Sequence, residues 1–176
     1  MEKTLRGMGF LPKIKTYRDI HAGDYCASLF VPLGVRENGI VRQIRRLVLK
    51  YGRALPKIGW ALSSSYAPDD YAYMRGVVLG LRPALKGVPI YDEYIQAVLA
   101  ITDGHKQSFT HDALVHFNAL DLDIVPTAAT YNFYCDRYGI SKRELCSFAD
   151  LHRKVYKLPC AISHPIMAVI CDVDLA

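Results

Sequence analysis

The run from Ile40 to Tyr51 constrains the chain most. Ile40, Val41, Ile44, Leu47, Val48 and Tyr51 recur at the spacing of one helical face, and Arg42, Arg45, Arg46 and Lys50 fall opposite. That pattern predicts an amphipathic helix showing a row of cations. Upstream, Ile20 to Val31 can form a first helix, and Pro32-Leu33-Gly34 supplies a sharp break. The two segments together read as a helix-turn-helix whose second helix suits a nucleic-acid groove. The plainer alternative is a solvated helix on the surface of an all-α domain.

Charge placement sharpens this reading. Residues 1–57 carry 12 Lys and Arg against 4 Asp and Glu, and the remainder 10 against 13. A basic N-terminal third on a mildly acidic remainder points to a polyanion-binding module joined to a partner-binding one. Gly52 is placed to close the basic helix, and Arg53 and Lys57 then sit on a proline-stiffened loop with Trp60 packed beneath. Phosphate contact falls to Arg36, Arg53, Lys57 and the arm residues Lys13 and Lys15, and Lys50 is counted among the DNA-binding residues. Base reading falls to Arg42, Gln43, Arg45 and Arg46.

A helical body follows. Asp69 and Asp70 suit the first turn of a helix that runs to Leu85, broken by Pro83 and Gly87. A second is predicted over Pro89 to Ile101, ending at Asp103-Gly104, and a third is capped by Thr110-His111-Asp112. Tyr71, Tyr73, Tyr91 and Tyr94 read as core or interface residues. The C-terminal stretch differs: aromatics crowd Tyr131 to Cys135, Ser141 can cap a short helix after Gly139, and Ile166 to Val173 reads as a terminal strand.

The order of these parts resembles the FlhC-type subunit of the flagellar master activator and its relatives in conjugative elements. The stretch that carries the likeness is Arg46-Leu47-Val48-Leu49-Lys50-Tyr51-Gly52-Arg53-Ala54-Leu55-Pro56-Lys57-Ile58-Gly59, a helix leading into a Pro-Lys-x-Gly loop. The resemblance implies a transcriptional activator subunit acting in a hetero-oligomer with a small helical FlhD-like partner. It would bind double-stranded promoter DNA and contact RNA polymerase. It also implies a C-terminal zinc ribbon, and here the chain departs from the pattern, since its five cysteines form no Cys-x-x-Cys pair. Cys135, Cys146, Cys160 and His164 make a possible Cys3His zinc site. The other reading is a ribbon without metal, its space filled by Phe133, Tyr134 and Tyr138. Cys26 reads as a small buried hydrophobe of the first helix.

The expected architecture is therefore mainly α. A basic helix-turn-helix region covers residues 1–60, a helical body 61–125, and a small irregular ribbon-like subdomain 126–176. Catalysis is not expected: His105, His111 and His116 form no HExxH-like pattern, and a Gly-rich phosphate loop is absent from the sequence. With neither a long apolar run nor a secretory signal in the sequence, the expectation is a cytoplasmic protein with no membrane partner. The competing reading is a structural or assembly protein of phage or plasmid type with nonspecific nucleic-acid binding.

Overall fold

The computed structural model describes residues 2–9, 11, 17–20, 23–59, 69–106, 122–158 and 160–176. Helix α1 spans Glu2–Gly7 and is followed by strands β1 (Asp24–Tyr25), β2 (Ser28–Glu37) and β3 (Ile40–Leu49). A short helix α2 (Tyr51–Ala54) runs into a 3-10 turn, Leu55–Lys57. Then come α3 (Asp70–Leu85), α4 (Tyr91–Ile101), β4 (Ile124–Val125), α5 (Ala128–Tyr138), α6 (Lys142–Arg153) and α7 (Pro165–Leu175). The chain is thus mixed helix and sheet, not mainly α.

The expected helix-turn-helix is a β-hairpin. β2 and β3 pair antiparallel over ten residues each, with Glu37 opposite Ile40 and Ser28 opposite Leu49. The connection is Asn38-Gly39, with φ of +50° and +79°. Positive φ at both central residues is what a type I′ turn requires, and its twist matches that of the flanking strands. Of the residues that mimic a helical face, Ile44 and Val48 turn to the core side of β3, whereas Ile40, Val41 and Leu47 are exposed. Leu29, Val31, Leu33 and Val35 alternate into the core, all under 4% exposed.

Pro32 and Gly34, expected to break the chain, lie inside β2. Its far edge pairs with β1 near Ser28 and with β4 at Gly34 and Val35. Arg36 donates its backbone N–H to Asp123 on the β4 side at 2.9 Å. By the two-residue alternation, Pro32 faces that side too, in the gap between β1 and β4. A missing N–H costs little there, and Thr130 Oγ1 donates to the Pro32 carbonyl at 2.6 Å. Gly34 leaves room for Val41: a Cβ would stand 2.5 Å from Val41 Cγ1.

The two described helices of the body lie where expected, except that Pro83, expected to break the first, lies inside it. Asp69 caps α3 by accepting from the N–H groups of Tyr71 and Ala72. α3 runs through Pro83 to Leu85, and α4 ends at Ile101. The third helix expected after Thr110, Trp60, and the arm lysines Lys13 and Lys15 lie outside the described residues.

The expected ribbon is helical. Thr127 caps α5, which stops at the left-handed Gly139, and Ser141 with Glu144 forms the capping box of α6. The expected terminal strand is α7. Pro165 sits in its first turn, His164 Nδ1 accepts from the Ile166 N–H, and Ile166, Ile170 and Asp174 turn inward at a four-residue spacing. Cys26, expected inside a helix, is exposed in the β1–β2 turn with φ +49°.

One core draws on all three stretches expected to be separate regions. Its centre is a stack of tyrosines: Tyr51 lies 4.6 Å from Tyr134 and 4.9 Å from Tyr91, centroid to centroid. Tyr51 Oη donates to the Pro89 carbonyl at 2.6 Å. Beside the stack, the buried Asp174 carboxylate accepts from the Gly52 N–H, Tyr138 Oη and the Arg137 guanidinium. Residues 122 apart in sequence are joined in this way.

Candidate nucleic-acid interface

Of the ten residues expected to meet DNA, eight are described, and four of these share the hairpin and face outward. Arg36 is half exposed and pairs with Asp123 at 3.6 Å. Arg42 is 70% exposed and reaches Glu37 across the turn at 3.5 Å. Gln43 and Arg45 are exposed, opposite Gly34 and Pro32. The register sets Arg36, Gln43 and Arg45 on the face that α5 overlies, whereas Arg42, opposite Val35, leaves from the other. Ion pairs this exposed contribute at most about 1 kcal/mol, so a phosphate competes for these guanidinium groups at little cost. Arg45 has no ion-pair or hydrogen-bond partner among the described residues.

Of the other four, three make contacts within the protein. Arg46, adjacent to Arg45, points the opposite way because successive strand side chains alternate. It is part-buried and donates to the Pro83 carbonyl at 2.7 Å, and burial lowers its pKa from the usual value. Lys50 is buried and paired with Asp24. Arg53 Nε donates to the main-chain oxygen of Asp174 at 3.1 Å, and Lys57 is exposed at the end of the 3-10 turn. A single helical row of arginines is therefore replaced by an outward group on the hairpin, with Arg46 tying β3 to α3, Lys50 pairing with β1 and Arg53 joining α2 to α7.

Between β3 and α5 lies an open groove of about 850 Å³. Gln43 and Arg45 line one wall, and Asn132, Phe133, Asp136 and Arg137 line the other. Of these α5 residues only Phe133 is singled out from the sequence, and as a filler of the ribbon. Their signal was there, since Ala129, Asn132, Phe133, Asp136 and Arg137 mark one face of a helix at spacings of three and four.

Among the described residues, no three His, Cys, Asp or Glu side chains come together as a metal would need. Cys135 lies on α5 and Cys146 on α6, whereas Cys160 and His164 belong to the segment leading into α7. Burial pushes the thiols of Cys135, Cys160 and Cys171 above their usual range, the reverse of what a nucleophile requires. Asp69 and His105 pair at 3.0 Å on the surface, where the Asp69 carboxylate is already the cap of α3. No helix among the described residues is long and apolar enough to cross a membrane. Comparisons with family models, with curated proteins and with solved structures each return no match.

Proposed function

We propose that this chain is a non-catalytic nucleic-acid-binding protein that grips the phosphate backbone through its basic hairpin. The observation that carries the reading is the outward set Arg36, Arg42 and Arg45, held by exposed ion pairs or by none among the described residues. Guanidinium groups leaving both faces of an edge strand do not form the single row that a recognition helix presents to a groove. Contact with phosphates requires no such row and tolerates any sequence. This favours a structural or assembly role over promoter reading.

The narrower form of the proposal is the FlhC-like activator, working with a small helical partner and RNA polymerase. Fluorescence anisotropy on duplexes of promoter and random sequence separates the two forms. We expect equal affinity for both, falling steeply with salt. A preference of tenfold or more for one duplex would favour the activator. Affinity that is weak and indifferent to salt would remove nucleic acid as the ligand.

A further inference from the structure

A second cavity, of about 310 Å³, lies between the 3-10 turn, α4, α6 and the segment entering α7. Its walls are chiefly apolar, including Ile58, Phe148, Ile162 and Met167. Three polar groups interrupt them: Tyr94, His152 and Cys160. Cys160 and Ala161 form an exposed rim, whereas His152 is 4% exposed.

The imidazole of His152 is fixed in one tautomer. Its Nδ1 lies 2.8 Å from the Phe148 carbonyl, which can only accept, so Nδ1 carries the hydrogen. The ring is further held edge-on by Phe148, with centroids 4.6 Å apart, and by Tyr94 at 6.3 Å. Nε2 therefore holds a lone pair, and among the described residues nothing donates to it. Nε2 is thus an acceptor open to the cavity and not sealed in the core, and a donor that enters the cavity can meet it. Burial also holds the ring's pKa below the usual histidine value, in keeping with a neutral imidazole.

We propose that this cavity binds a small uncharged aromatic molecule bearing one hydroxyl, whose O–H donates to His152 Nε2 while its rings lie against Phe148 and Ile162. The volume is about twice the roughly 150 Å³ that admits benzene, so two fused rings fit. A charged ligand would leave its charge unpaired against the apolar walls. This assignment is independent of the hairpin and of whether it binds nucleic acid.

The test uses 2-naphthol and naphthalene as matched probes, with binding to the full chain followed by isothermal titration and by the ¹⁵N signals of the histidine rings. We expect 2-naphthol to bind at least tenfold more tightly than naphthalene and to shift His152 Nε2. His152→Phe should abolish the difference between the probes. Ala161→Phe, at the exposed rim, should abolish binding of both and leave the melting temperature unchanged. If His152→Phe fails to fold, the probe ratio and the Ala161→Phe variant decide. Equal binding of the two probes, no binding, or 2-naphthol binding unaffected by Ala161→Phe would overturn the proposal.

Discussion

Arg46 on β3 donates to the main-chain carbonyl of Pro83 at 2.7 Å, joining the edge strand to the last turn of α3. The last four carbonyls of a helix have no partner within it, and a cation placed there also meets the negative end of the helix dipole. Arg46→Ala should therefore cost about 1 kcal/mol of stability, read as a lowered urea midpoint. Its affinity for nucleic acid should fall less than that of Arg45→Ala. A stability equal to wild type would assign Arg46 to the interface.

The Asp174 carboxylate is fully buried and meets the Arg137 guanidinium at 2.8 Å. Removing it would strand the Gly52 N–H and Tyr138 Oη in the core and leave the part-buried Arg137 guanidinium without its ion pair. Asp174→Ala should cost about 3–5 kcal/mol, the range for breaking a buried pair on one side. Asp174→Asn, which keeps the shape and an acceptor oxygen, should lose less. Chemical denaturation of the two variants checks both the size and the order.

At the tip of the hairpin, a Cβ on Gly39 would meet nothing within 4 Å, yet its φ is +79°. Gly39→Val should cost about 1–2 kcal/mol from backbone strain alone. Loss of β-hairpin amide protection in hydrogen exchange, ahead of the helices, would accompany it. A neutral substitution would contradict the type I′ turn.

Acid should unfold the protein partly through His152. Burial lowers its pKa, a shift that the bond to the Phe148 carbonyl opposes and the neighbouring His164 reinforces. The other titratable groups facing it ionise far above this range: Tyr94 is pushed up to about 12, and burial raises Cys160. With a folded pKa below the unfolded one, the unfolded chain binds more protons between the two values, so stability rises with pH there. Falling pH should thus begin to destabilise the protein near the unfolded value of about 6.5, and the loss completes below the folded one. His152→Leu should flatten that part of the pH–stability curve.

Much of the helical part was legible because its signals are local. Asp69, Ser141 with Glu144, and Gly139 mark helix ends by chemistry confined to one turn. The hairpin's signal is also local, yet ambiguous. Asn38-Gly39 between apolar runs is a strong turn signal, but the spacing of Ile40, Ile44, Leu47 and Val48 satisfies a helical period as well. Nothing in Pro32 announces that it faces a gap between two short strands, since β4, at Ile124–Val125, arrives from far along the chain. The split between Arg45 and Arg46 followed only once the strand was known, because neighbours on a helix share a side far more nearly than neighbours on a strand. His152 could not be picked out from sequence, as its value lies in a wall assembled from four separate segments.

The central claim is that Arg42 and Arg45 contact phosphates, and salt dependence tests it most directly. Each phosphate contact on a duplex contributes about −0.9 to the slope of log affinity against log salt. Anisotropy titrations of wild type and of the Arg42→Ala/Arg45→Ala variant on one duplex, across a range of salt, yield the two slopes. The account predicts that the variant's slope is shallower by about 1.8, with an unchanged melting temperature. Equal slopes and equal affinities in a folded variant would contradict it.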